Sequence, residues 1–498
     1  MQSKKVLPII AALGFIKLTI HWFGNQNYGF HRDELLHLSV SEHLAWGYFE
    51  FPPLIAWIGK LSCLLFDYSL MGMRLFPTLA GLGILILCCL MAKEMGGKNK
   101  AVFLAGICTL AFIPFFRNHL LFQPVAFDQF FWTLGFYLLI KFINTEKKEH
   151  LLLLGLVAGL GLLNKYTMLV WGFGIAIGLM FYERGRLYKS IWLYVSGVIA
   201  FLVFLPNLLW QIQHDMPFFL HMESLNQKQL SGIDPFEFGL AQLELPFTLV
   251  VSLIGLYGVI FTQHLKKYRS AGIAFLVIFA TMWILKSKAY YFFAAYPVMF
   301  AAGAVQIEHW FQNRPKLNYV VAAVILLPII PFVPEAIPIL PIEKHIAYMD
   351  LEENEDGRVE LTGDYADMFG WEEQVALVDS VYRSLSPQEQ ENAVIWAENY
   401  GEAGAIKILG DKYGLPDPIS RHGSFWLWGY GNADAEVWIS LGNEPEAVHH
   451  VFEEVELVKI ITHKYAIGEE NGIPLYICRK PKVVIPEWWQ SYEEHVFD

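Results

Sequence analysis

The sequence predicts a mainly α, multi-pass membrane bundle of about eleven spans, followed by a small α/β domain outside the cytoplasm. Three observations predict it. The 498 residues are 55% hydrophobic and only 17% charged, with a mean hydropathy of +0.38, which is unusual for a soluble chain of this size. Lysine and arginine crowd one set of the turns between apolar segments and thin out in the other. A proline-rich stretch, "LLPIIPFVPEAIPILPIEKH", then separates the apolar part from a polar remainder near residue 340.

A helix needs roughly 20 apolar residues to cross the hydrocarbon core. Windows of suitable length lie at 6–23, 75–92, 101–116, 127–143, 151–164, 166–182, 190–210, 246–263, 271–286, 290–307 and 318–334. The first follows "MQSKK" and is not followed by a small-residue cleavage site, so it reads as a retained span and not as a signal peptide. The window 151–164 is short, as a tilted or partly re-entrant segment would be. With a cytoplasmic N-terminus, sixteen Lys and Arg residues, from Lys4 and Lys5 to Arg314 and Lys316, fall at inner ends. Only eight (Arg32, Lys60, Arg74, Arg117, Lys165, Lys228, Lys286 and Lys288) fall in outer loops, the bias expected of the positive-inside rule. Eleven spans leave the C-terminus outside.

The chain thus divides into a membrane domain, 1–340, and an extracytoplasmic domain, 341–498. In the second, "AVIWAENYGEAGAIKILGDKYGLP" reads as a buried strand, a loop, an amphipathic helix and a Gly-Leu-Pro stop, and "AEVWISLG" and "IPLYICRK" read as further strands. No internal repeat or low-complexity segment interrupts the pattern.

Several function classes are disfavoured. A net charge of -12 argues against nucleic acid as a partner. The five cysteines have no metal-ligand spacing, and four lie in or near apolar segments, so they read as small buried hydrophobes without a disulfide framework. His31, His37 and His43 are spaced by six, which puts them on different sides of a helix and makes a zinc site improbable. No Gly-rich phosphate loop follows a strand, which leaves a nucleotide site unsupported.

Chemistry gathers instead on the outer face. "NYGFHRDELLHLSVSEHLAWGYFEFPPL" follows the first span and carries His31, Arg32, Asp33 and Glu34. Neighbouring helical residues point about 100° apart. One carboxylate therefore lines a cavity while the other is held by Arg32 or solvent, unless both merely open a helix, where acidic residues are favoured. The next outer loop, "RNHLLFQPVAFDQFFW", supplies Arg117 and Asp128; a carboxylate opening an apolar span is functional by default. "LLNKYTM" adds Lys165 and Tyr166, and "LKSKAYYFFAAYP" adds Lys286, Lys288 and Tyr291. Taken singly, these lysines are also what snorkelling helix ends look like, and the tyrosines what an interfacial belt looks like. Taken together they suit a substrate with an anionic phosphate and a long apolar tail. Cations neutralise the phosphate, the tail lies between helices, and a carboxylate deprotonates an attacking hydroxyl. A sugar on a polyprenyl phosphate is such a substrate.

The Asp-Glu pair after the first span, then "GYFEFPPL", then "RLFPTLAG" opening the next, resembles the GT-C glycosyltransferases of family 39. That family includes protein O-mannosyltransferases and aminoarabinose transferases. "QPVAFDQFFWTL", "GLGLLNKYTML", "KSKAYYFFAAYPVMFAAGA" and "AENYGEAGAIKILGDKYGLP" are similar to a bacterial subgroup, so the resemblance covers nearly the whole chain. It implies inverting transfer of one sugar from a polyprenyl-phosphate donor to a hydroxyl acceptor (lipid, glycan or protein) on the outer face of a bacterial inner membrane. It implies Asp33 as the general base or acceptor-positioning residue, Glu34 as its companion and Asp128 as a second acidic position near the reacting centre. It also allows a divalent metal between Asp33 and Asp128, since some GT-C enzymes use one. Aminoarabinose transferases carry a lysine before Pro-Pro where this chain has Phe51, so the phosphate contact falls to Lys165, Lys286, Lys288 or Arg117.

Two other classes compete. A transporter or flippase of a lipid-linked or anionic solute predicts mid-membrane charges and internal repeats, neither of which the sequence offers. A silent glycan receptor would use the aromatics of "GSFWLWGYG" (Phe425, Trp426, Trp428, Tyr430), for which core packing is the simpler reading.

Overall fold

The computed structural model describes residues 6–230, 232 and 235–491; Lys4 and Lys5 lie outside them. All eleven apolar windows are helical over most of their length. Seven helices are long and apolar enough to cross a membrane: Val6–Gly24, Leu70–Glu94, Pro124–Thr145, Ile191–Gln213, Lys266–Ile284, Ala289–Trp310 and Leu317–Ala336. An eighth span is the pair Phe236–Leu243 and Pro246–Phe261, bent by 102° at the break before Pro246. The windows at 101–116, 151–164 and 166–182 become the shorter helices Asn99–Ala111, Lys148–Leu162 and Met168–Met180. The protein is a multi-pass membrane protein, and large apolar side chains such as Phe15, Phe261 and Ile284 stay uncovered on its flanks, as a lipid-facing surface requires.

Small residues set the closest crossings. A Cβ on Gly255 would lie 2.2 Å from the Met299 carbonyl, and one on Gly303 would lie 2.1 Å from that of Val251. The helices Pro246–Phe261 and Tyr296–Trp310 therefore touch backbone to backbone, the usual way membrane helices gain packing without a hydrophobic driving force.

The two ends of the bundle differ. One gathers Lys141 with Glu94 (3.1 Å), Arg186 with Glu146 (3.0 Å), and Glu308, which accepts from the backbone amides of Lys98, Lys100 and Ala101. The other carries Asp33, Arg117 and Lys165 and is covered by the C-terminal part of the chain.

That part builds a five-stranded sheet of order β2-β1-β3-β5-β4, from β1 (Val394–Ala397), β2 (Pro418–Ile419), β3 (Val437–Leu441), β4 (Phe452–Ile461) and β5 (Ile473–Pro481). β1 is parallel to β2 and β3, whereas β5 is antiparallel to both β3 and β4. The fully buried β1 and β3 are the apolar runs read from the sequence; the edge strand β4 was not, because most of its side chains are exposed. The cysteines are free, and all but the half-buried Cys63 are buried.

The sheet domain docks through the helix Tyr400–Leu409, which lies on the helix Arg32–Glu42. A Cβ on Gly404 would come within 2.9 Å of the Leu35 side chain, so the small residue permits this contact. Beside it, Glu50 of "GYFEF" accepts from the backbone N–H and hydroxyl of Ser424. Trp428 stacks on His43 at 4.0 Å, and Trp426 packs on Phe49. These rings thus join the two parts of the chain.

Candidate active site

The helix Arg32–Glu42 starts where it does because His31 is its N-cap. The His31 ring accepts from the Asp33 amide, and the Glu34 carboxylate accepts from the His31 amide at 2.9 Å, a reciprocal capping box. This fixes Asp33 and Glu34 in the first turn with different surroundings.

Glu34 is fully buried. Arg74 donates to it at 2.8 and 3.0 Å, and the Phe122 amide donates at 3.0 Å. Arg74, also fully buried, donates further to the carbonyls of Gly29 (2.8 Å) and Asn27 (3.3 Å). Glu34, expected beside Asp33 as a catalytic companion, is instead enclosed in this ion pair, which ties the first outer helix to the second span. Charge placement alone reads Arg74 as an outer-loop cation; a charge in the first turns of an apolar helix is the signal that it needs a buried partner.

Asp33 is half-buried at the seam between bundle and sheet domain. Tyr400 donates its hydroxyl to Oδ1 at 2.9 Å, and Gln123 donates to Oδ2 at 2.7 Å. Burial pushes the Asp33 carboxyl up, but His31, His37, the Tyr400 hydroxyl and Arg32 outweigh it and hold it below the usual carboxylate range. It is therefore ionised at neutral pH.

Around it lies an inter-domain charge network. Arg117 clamps Asp364 with two bonds of 2.6 Å and donates to Gln123 at 3.3 Å. Arg32 pairs with Glu469 (2.8 Å) and Asp367 (3.4 Å) and lies over the Tyr400 ring. The Nε2 of buried His31 is 3.6 Å from Asp364 and 3.5 Å from Asp367. Burial opposes its protonation, yet Asp364, Asp33 and Asp367 together raise its pKa above the ordinary 6.5. A raised histidine contributes its ion-pair stabilisation below pH 6.5, less the cap bond that a protonated Nδ1 can no longer accept from the Asp33 amide, and loses that contribution as pH rises through its folded value. The melting temperature is therefore expected to fall as pH rises above 6.5, and His31→Asn, which keeps a good N-cap, to flatten that slope. An unchanged slope in His31→Asn would assign the titration elsewhere.

A second group lies across Tyr290 and Tyr291, whose rings are 4.5 Å apart. Asp33 and Arg117 are within electrostatic reach of Tyr290, and Lys165, Lys288 and Asp128 within that of Tyr291. The Lys165 ammonium sits over the Tyr291 ring at 4.1 Å, and neither it nor Lys286 forms an ion pair among the described residues. Asp128 is buried, accepting from Thr167 at 2.8 Å through one oxygen, while the other has no hydrogen bond of good geometry among the described residues. Tyr166 turns elsewhere, donating to Asn207 at 2.9 Å and packing on Phe218. Phe51 packs on His37 and Tyr48.

A divalent ion between Asp33 and Asp128 does not fit this donor set. Asp33 is held by Gln123 and Tyr400, Asp128 by Thr167, and among the described residues no three His, Cys, Asp or Glu converge to hold a metal.

Comparison with known proteins agrees with this architecture. Residues 50–210 match the family model described as dolichyl-phosphate-mannose-protein mannosyltransferase. An uncharacterized protein of Aquifex aeolicus is 29% identical over 260 residues, 50% of this chain and 51% of its own length. The lipid A galacturonosyltransferase RgtD of Rhizobium johnstonii is 25% identical over 229 residues, 45% and 48% of the two chains. The chain thus spans about half the length of the curated relatives it matches. The crystal structure of ArnT from Cupriavidus metallidurans bound to undecaprenyl phosphate shares the fold, with a TM-score of 0.64 at 10% identity over 94% of this chain and 97% of that one. The fold is shared with ArnT, and the family match lies within the bundle. Asp33, Asp128, Arg117, Lys165 and Tyr291 are the expected residues that this fold assembles near one another. The partners Tyr400, Asp364 and Asp367, from the sheet domain, were not anticipated.

Proposed function

We propose that the protein transfers a sugar, with inversion, from a polyprenyl-phosphate donor to a hydroxyl acceptor at the face covered by the sheet domain. In this reading that face is extracytoplasmic, the N-terminus is cytoplasmic and the membrane is a bacterial inner membrane. One observation carries it: an ionised carboxylate, Asp33, within electrostatic reach of Tyr290, and an ammonium with no ion pair among the described residues, Lys165, over the Tyr291 ring, meet at the Tyr290–Tyr291 pair at the bundle's edge. The undecaprenyl phosphate bound by a protein of the same fold, and the sugar transfer named for a relative, support it.

Inversion uses both groups. The acceptor oxygen forms its bond to the anomeric carbon from the face opposite the phosphate, the carbon–oxygen bond to phosphate breaks, and polyprenyl phosphate leaves. Asp33 takes the proton of the attacking hydroxyl, while Lys165, with Lys288 also within electrostatic reach of Tyr291, meets the charge that grows on the phosphate. Phosphate is a stabilised leaving group and needs no proton from a general acid. Asp128, hydrogen-bonded by Thr167, is within electrostatic reach of the Lys165 ammonium without pairing with it. Arg117 is closed on Asp364, which leaves Lys165 the better phosphate contact of the two.

Membranes containing the protein are expected to lose one polyprenyl-phosphate sugar, read by mass spectrometry, and to gain its sugar on an acceptor. Intact donor on the opposite leaflet, with no sugar transferred, would establish a flippase instead. Lys165→Met is expected to raise the donor concentration giving half-maximal rate by about 10- to 100-fold, the loss of one charge-assisted phosphate contact. An unchanged donor dependence would move the phosphate to another cation.

A further inference from the structure

We infer that the acceptor enters through a cavity between the bundle and the sheet domain, and that it is a hydroxyl-bearing amphiphile whose head carries no negative charge. The inference rests on the transferase reading above and names the substrate class of its second site. The cavity, of about 370 Å³, is lined on one side by Ile113, Leu120, Leu245 and Phe332 and on the other by Tyr365 and Met368. Its polar wall holds Arg117, Asp364, Glu244 and Glu335.

Two features tie this cavity to the reaction. Its wall is hydrogen-bonded to the proposed base: Arg117 donates to Gln123 at 3.3 Å, and Gln123 donates to Asp33 at 2.7 Å. Its rim also lies among lipid-facing residues. Leu243 is 60% exposed and Phe332 50%, and Glu244 stands at the break where the chain turns by 102° into Pro246–Phe261. An apolar stem arriving from the bilayer meets the apolar wall, and its head meets the carboxylates.

Charge then selects the head. Arg117 and Asp364 cancel in a two-bond pair, so Arg117 has no charge to offer a phosphate. Glu244 and Glu335 are exposed and form no ion pair among the described residues. The cavity thus presents two uncompensated carboxylates, which accept hydrogen bonds from hydroxyls or amines and repel a phosphate or carboxylate head. Lys165, with no ion pair among the described residues, sits over the Tyr291 ring, where the donor phosphate is placed, and is not part of the cavity lining. Donor and acceptor are thus sorted by charge, one to the ammonium and the other to the carboxylates.

The full-length protein with Glu244→Lys and Glu335→Lys tests this, compared with Glu244→Gln and Glu335→Gln and with wild type. The charge reversal is expected to lower transfer in membranes at least about 10-fold, the neutral pair about 2- to 5-fold. Binding of undecaprenyl phosphate to the purified variants, read as a thermal shift, is expected to stay within twofold of wild type. The glycosylated species found by mass spectrometry is expected to carry no phosphate or carboxylate on its head. Unchanged transfer by the charge-reversed protein, or a glycosylated lipid with an anionic head, would overturn the inference. Loss of undecaprenyl phosphate binding in the variants would assign the cavity to the donor and overturn it too. Failure of the transferase reading is distinguishable: wild type would then consume no donor at all, and this inference would fall with it.

Discussion

Asp33→Asn is expected to lower sugar transfer by about 10³-fold while leaving donor binding within twofold, because it removes a general base and little else. The asparagine is the same size, and its carbonyl still accepts from the Tyr400 hydroxyl, which donates to Asp33 at 2.9 Å. Its amide meets Gln123, which donates to Asp33 and whose own carbonyl is held by Arg117, so one hydrogen bond of the network is lost. Tyr400→Phe tests the other partner. It leaves the carboxylate in place with one bond fewer, and an effect of about 10-fold on rate, without an effect on donor affinity, is expected for a positioning contact. Initial rates at saturating and limiting donor separate the two quantities. If Asp33→Asn transfers sugar at a rate within about fivefold of wild type, the proton goes elsewhere and Asp33 is a docking residue for the sheet domain.

What the sequence discloses follows from how each feature is encoded. A membrane span is a local property, since one continuous apolar run must reach across the bilayer, and so every expected window is helical. The exceptions in length are instructive. Asn99–Ala111 and Met168–Met180 stop short because Pro114 and the turn before Thr167 interrupt runs that hydropathy alone treats as continuous. Asp33 was legible because an acidic pair next to a span is costly enough to need a reason. Its partners were not: Tyr400 lies 367 residues away, and no periodicity records a contact between a helix of the bundle edge and a helix of the sheet domain. Asp364 and Asp367 sit in an acidic stretch that composition reads as solvated surface, yet His31, Arg32 and Arg117 reach them. The aromatics of "GSFWLWGYG" gave the right side-chain type for packing but not its target, because stacking on His43 and Phe49 is again a contact across the domain seam.

The roles of the two adjacent carboxylates separate most sharply in stability. Arg74→Leu is expected to destabilise the protein by about 3–5 kcal/mol, because it leaves the Glu34 carboxylate buried without a countercharge. Glu34 accepts four short bonds from Arg74, Phe122 and His31, and neither partner is exposed to water. Glu34→Gln is expected to cost a comparable amount, since it leaves the buried Arg74 guanidinium without a countercharge and turns an amide NH2 toward the donors of Arg74, His31 or Phe122. The double replacement Glu34→Leu with Arg74→Leu removes both charges and is expected to recover much of the loss, as buried pairs replaced by apolar groups often do. Folded yield in detergent and the melting temperature measure all three. Activity assigns the role: if Glu34→Gln melts with wild type yet transfers no sugar, Glu34 acts on the reaction beside Asp33. If stability falls first and residual transfer tracks the folded fraction, Glu34 and Arg74 serve to hold the first turn of the outer helix, and with it Asp33, against the second span.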